Sequence, residues 1–123
     1  LAQDLRLRLL KYNQIKHLGV IITDSRIAPL KKGVMGVALA YAGFKGLKSC
    51  IGNPDIFKRK LKKTKVNVAD SLAATAVLVM GESNETTPLA IIEGAKVQFV
   101  DKINKKELLI DVKDDLYLQI YKF

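Results

Sequence analysis

This chain has one cysteine, Cys50, one histidine, His17, and no tryptophan in its 123 residues. A single thiol excludes an internal disulfide and fits a reducing compartment, so a cytoplasmic location is expected. A single imidazole excludes a histidine-built metal cluster or a Ser-His-Asp triad within the chain. His17 and Cys50 are therefore read as structural residues. No apolar run approaches the roughly 20 residues of a membrane span, and no membrane partner is expected. No basic stretch, apolar segment and small-residue cleavage site open the chain, which argues against a secretory signal. Linkers, internal repeats and low-complexity tracts are missing, so a single domain or lobe is expected over residues 1–123. Leu1, Leu5, Leu9 and Tyr12 recur at helical spacing from the first residue. That start suggests a piece of a longer polypeptide.

The composition is 49% hydrophobic and the mean hydropathy +0.10, enough to build a core. The formal charge is +9, and much of it lies in the run from Lys58 to Lys65. Clustered cations attract nucleic acid, headgroups, nucleotide phosphates or polyglutamate. No aromatic residues interleave with these lysines, so nucleic acid is not the expected partner. A solvated basic loop is the alternative.

Helices and strands are expected in an α+β arrangement, a mixed sheet packed with helices. The opening helix runs to about Asn13. Val20, Ile21 and Ile22 form a β-branched run that predicts a strand buried on both faces, with Asp24 and Ser25 just past its end. Gly36 to Phe44 predicts a second strand, whose small residues permit close approach of another backbone. A turn at Gly52–Asp55 and a short strand over 65–68 follow. The clearest helix covers about Ala69 to Met80, with Val68, Leu72, Ala76 and Val79 in register. Asp70 lies in its first turn, and Gly81 ends it. A further strand is expected over 89–93, after which Gly94 turns the chain toward 96–100. The apolar tail, 107–112 and 116–121, is ambiguous. Met35 and Met80 are assigned to the core.

Two sites are rich in hard oxygen ligands. Asp24 and Ser25 pair a carboxylate with a hydroxyl, which suits magnesium or manganese carrying phosphate. They are also ordinary turn formers. Glu82 follows the long helix, whose carboxyl end already carries partial negative charge. A second negative charge there is unfavourable by roughly 0.3–1 kcal/mol, unless a cation is bound. The stretch from Glu82 through Ser83, Asn84, Glu85 and Thr86 to Thr87 also reads as a polar loop. No phosphate-binding glycine loop of the Gly-x-x-x-x-Gly-Lys-[Ser/Thr] type is present.

The order of segments resembles the carboxyl-terminal half of the coenzyme F-420 γ-glutamyl ligase family. The likeness lies in the segment Gly19–Ser25, in Pro29, Lys31 and Gly33, and in Ala38–Gly43. It continues through Gly52–Arg59, Val68–Ala74 and Val79–Glu82. The resemblance implies an α+β ligase lobe that joins L-glutamate to a carboxylate acceptor by way of an acyl phosphate. GTP would be the co-substrate, with Mg2+ or Mn2+ as cofactor and a homodimer as the assembly. It implies that Asp24, Ser25 and Glu82 bind metal. Met80, Gly81, Glu82, Ser83, Asn84, Glu85, Thr86 and Thr87 would line the guanine nucleotide. Lys31 and Arg59 match basic family positions that would face phosphate or substrate. No residue is singled out as a catalytic base.

Departures fall near the substrate. Ile27-Ala28 stand where the family has Gly-Arg, and Ala38-Leu39-Ala40 replace Ala-Ile-Gly. Phe57-Lys58-Arg59 replace Tyr-Gly-Arg, and Ala69-Asp70-Ser71 replace Ala-Asp-Glu. A lost arginine and a lost glutamate alter charge recognition. The acceptor is therefore left open between the deazaflavin coenzyme and a folate-like acid. The isolated lobe is expected to be inactive. The alternative readings are a non-catalytic basic binding module and a homologue that keeps the fold without turnover.

Overall fold

The computed structural model describes residues 1–120. Helix α1 spans Ala2–Asn13, and strands β1 (Val20–Arg26) and β2 (Met35–Ala42) form an antiparallel pair. Strands β3 (Leu47–Ser49) and β4 (Lys65–Asn67) form a second antiparallel pair. Helix α2 covers Val68–Met80, and a 3₁₀ turn covers Val112–Asp114. The α+β class is the expected one. The strands make two small antiparallel sheets rather than one mixed sheet.

Helix α2 begins on a cap written in the sequence. The Asn67 side chain accepts from the Asp70 amide at 3.0 Å, and Asn67 Nδ2 donates back to Asp70 Oδ2 at 2.7 Å. The other Asp70 oxygen accepts from the Ala38 amide of β2 at 2.9 Å. That amide flanks a bulge, because Ile22 pairs with Ala40 while Thr23 pairs with Ala38, which leaves Leu39 as the extra residue. Asp70 thus both caps the helix and fastens it to the bulged strand.

The face of α2 that is buried is Ala69, Ala73 and Val77. This is one position over from the expected stripe, and Val79 is 70% exposed. The shift follows from the strand beneath. A Cβ on Gly36 would lie 2.5 Å from the Ala73 carbonyl oxygen, so only small residues fit at this crossing. The same displacement occurs in α1, which buries Ala2 and Arg6 while Leu1 and Tyr12 are exposed. Arg6 Nε donates to the Leu18 carbonyl at 2.9 Å, and its terminal nitrogen pairs with Asp101 at 3.2 Å. Phe44 is the largest fully buried side chain. Its burial contributes about 2–3 kcal/mol.

Several expectations are corrected. Asp24 and Ser25 lie inside β1, opposite Val37 and Gly36, because β2 continues the ladder to Met35. Val20 to Ile22 are half-buried, since β1 has only β2 beside it. Residues 89–93 are not the expected strand, and the segment 96–100 that follows the Gly94 turn is irregular as well. The latter makes a single bridge, Phe44 to Phe99, and without a partner ladder β-forming residues stay irregular. Met35 is 38% exposed rather than in the core. The tail is turns and the 3₁₀ helix, and residue 121 lies outside the described residues. His17 stacks on Phe99 with ring centroids 5.1 Å apart, a structural role. Cys50 is half-buried.

Tyr41 gives the fold a pH dependence. Its hydroxyl donates to Glu107 at 2.6 Å, and the Gly46 amide donates to the same carboxylate oxygen at 2.7 Å. Burial, and then the Glu107 carboxylate, push the phenol well above its ordinary value of 10.0. The folded state holds this proton longer than the unfolded chain does. Stability is therefore full below about pH 10 and falls above it, as the unfolded chain ionises first. Urea midpoints across pH 8 to 11 are expected to decline above about pH 10, and to decline less in Tyr41→Phe.

The chain exposes 10605 Å² of accessible surface, against roughly 6,600 Å² for a compact monomer of its mass. Large apolar residues such as Leu78, 84% exposed, account for part of the excess. No helix among the described residues is long and apolar enough to cross a membrane.

Candidate metal and nucleotide site

Ser25 and Glu82 are 57 residues apart in sequence and meet in space. Ser25 Oγ donates to the Glu82 carboxylate and lies 2.7 and 2.6 Å from its two oxygens. The pleat of β1 brings Ser25 to this contact, and the end of α2 brings Glu82. Gly81 ends the helix with φ 85°, its amide donating to the Val77 carbonyl at 2.9 Å. A Cβ there would strike the Glu85 carboxylate. Glu85 in turn accepts from the Ser83 amide at 2.8 Å, which closes the loop on itself.

A cleft of about 510 Å³ opens between the strand and this loop. It is lined by Thr23, Asp24 and Ser25 from β1, and by Met80, Gly81, Glu82, Ser83, Thr86 and Thr87 from the helix end and loop. Eight of the predicted site residues thus share one cleft. Asn84, Glu85, Lys31 and Arg59 do not line it. Lys31 lies in the β1–β2 connection, and Arg59 lies at the tip of the arm between β3 and β4. Thr23, Val77 and Pro88 line the cleft without having been singled out in the sequence. For Thr23 a signal was present, since it stands next to Asp24 in the same strand.

The electrostatics of the cleft favour a cation. The last turn of α2 contains no basic residue, so its carbonyl end is uncompensated. Glu82 adds a negative charge there. Asp24 also lines the cleft, and one of its carboxylate oxygens accepts from the Ser25 amide at 2.7 Å, while as the next residue of the strand it leaves β1 on the face opposite Ser25. The donors are carboxylate and hydroxyl oxygens, which fit a hard divalent ion. Among the described residues no three of His, Cys, Asp and Glu gather to hold a metal. The cleft therefore offers at most two such side chains together with hydroxyl oxygens.

Comparison with known proteins shows what the chain is similar to. Residues 1–94 match the family described as F420-0:Gamma-glutamyl ligase. The chain is 48% identical over 102 residues to the coenzyme F420:L-glutamate ligase of Methanococcus maripaludis strain C7, covering 83% of this chain and 41% of that protein. It is 43% identical over 116 residues to the enzyme of the same name from strain S2, covering 94% and 46%. A third relative of that name, from Methanocaldococcus jannaschii, is 46% identical over 84 residues, covering 68% and 34%. The chain thus spans less than half the length of these curated relatives.

Proposed function

Because this chain belongs to the F420-0:gamma-glutamyl ligase family, we propose that the protein containing it forms an amide between L-glutamate and a carboxylate acceptor. The proposed reaction runs in two steps. The γ-phosphoryl group of GTP passes to an acceptor carboxylate oxygen, giving an acyl phosphate and GDP. The glutamate nitrogen then attacks the acyl carbon, phosphate leaves, and the nitrogen loses a proton.

In this reading Asp24, Ser25 and Glu82 hold Mg2+ or Mn2+. When bound, the ion neutralises charge on the transferring phosphoryl group. The chain's own residues position and orient. Ser25 fixes the Glu82 carboxylate by their hydrogen bond, while Ser83, Thr86 and Thr87 offer hydroxyls along the nucleotide path. Met80 and Gly81 form its floor. Lys31 and Arg59 meet the anionic substrates. The observation that carries the proposal is the Ser25–Glu82 contact at a helix end with no basic residue to balance it. A homodimer fits the large apolar surface left uncovered, and a cytoplasmic enzyme fits the single thiol.

The test is calorimetric. Titrating GTP with manganese into the full-length protein is expected to give saturable binding, weakened about tenfold to a hundredfold in Asp24→Ala. Unchanged affinity in that variant would remove Asp24 from the site. A basic module without turnover would instead bind GTP equally with and without the metal.

A further inference from the structure

Helix α2 has a second apolar stripe that no strand covers. Its buried face, Ala69, Ala73 and Val77, includes the two residues packed against Gly36 of β2. Leu72, Ala76 and Met80, four residues apart, lie on one side of the helix and are only half-buried. They floor a groove of about 600 Å³ that runs past β1. Ile21, Ile22 and Thr23 all line this groove. Successive residues of a strand leave opposite faces, so a cavity that touches three in a row lies along the strand's edge. The edge is the outer one, because β2 occupies the other. Among the described residues β1 makes no backbone-to-backbone hydrogen bond beyond β2.

Another wall of the groove is the chain from Pro88 to Gly94, where Leu89, Ala90 and Ile92 line it. This β-forming stretch has no ladder, and it makes no backbone-to-backbone hydrogen bond among the described residues. Leu89 and Ile91 are 74% and 81% exposed. Two walls of unpaired backbone over an apolar floor are complementary to an extended chain, which bonds to both rows of amides and carbonyls. A small apolar ligand would leave those groups unpaired. More than half the length of the curated relatives lies outside the part that this chain matches. Chain tethered to the lobe outcompetes a separate copy, because its effective concentration is on the order of millimolar. We propose that an extended strand from the part of the longer protein outside residues 1–123 enters this groove. It pairs with the outer edge of β1 and with residues 89–93. Thr23, Met80 and Pro88 line both the groove and the Ser25–Glu82 cleft, so the added strand also walls that cleft. The pairing depends on neither the metal nor turnover.

Hydrogen exchange of the full-length protein tests the pairing. Amides over 88–94 are expected to exchange at least about a hundredfold more slowly than those of an unstructured chain, and equally slowly after about a hundredfold dilution. Exchange near the unstructured rate would overturn the proposal. So would protection that disappears on dilution, which assigns the groove to a second copy. Cross-linking identifies the occupant. Leu89 is replaced by its photoactivatable analogue, and light and heavy isotopic forms of the full-length protein are mixed equally. Position 89 is expected to join a peptide from outside residues 1–123 of the same chain. Cross-links between light and heavy chains, or to residues 1–123 alone, would overturn the proposal. Protected amides over 88–94 in a protein without ligase turnover would count against the proposed function and leave the added strand in place.

Discussion

Replacing Glu82 with glutamine is expected to lower ligase turnover of the full-length protein by about a hundredfold to a thousandfold while leaving the fold at least as stable. The two effects have opposite signs for one physical reason. In the metal-free protein Glu82 is an exposed carboxylate at the negative end of α2, with Ser25 as its partner. Removing that charge relieves roughly 0.3–1 kcal/mol of unfavourable interaction with the helix dipole. In the working protein the same carboxylate would face a divalent ion, and its loss removes a ligand. A structural residue would lose stability and activity together. Thermal midpoints measured in chelator, alongside initial rates with magnesium and manganese, separate the two cases. Turnover within threefold of the natural protein would exclude Glu82 from the metal site.

Gly43→Ala is expected to destabilise the fold by about 3–5 kcal/mol, whereas Gly52→Ala costs about 1 kcal/mol. Both glycines adopt positive φ, +90° and +84°. Strain at the backbone is therefore common to them. The surroundings differ. A Cβ at Gly52 meets nothing within 4 Å, while one at Gly43 would strike the Leu18 carbonyl and the Arg6 side chain. These two groups are themselves hydrogen-bonded at 2.9 Å, and Arg6 is buried at 4% exposure. Forcing them apart leaves a guanidinium without its carbonyl in a place water reaches poorly. Urea unfolding of the two variants checks the difference, and equal midpoints would contradict it.

Residue type alone determined a good deal of this protein. The cap residues Asn67 and Asp70, the stop at Gly81 and the β-branched run from Val20 are local signals, and local hydrogen bonding and sterics settle what they do. The candidate ligands Asp24, Ser25 and Glu82 were legible from their hard oxygen donors and from their places after a β-branched run and after the end of a helix. Tertiary structure alone decided which helix face is buried. Periodicity predicted the helices, but the apolar stripes that set their phase are displaced by one position in both. Close contact between α2 and β2 admits only glycine, alanine and valine at the crossing, so the large residues turn outward. It also decided that Asp24 and Ser25 lie within a strand, and that 89–93 forms none. A strand exists only where another strand supplies its hydrogen bonds, and no stretch of sequence read singly contains its partner. The meeting of Ser25 with Glu82 belongs to the same class, because two side chains 57 residues apart are brought together by packing rather than by anything in their own neighbourhoods.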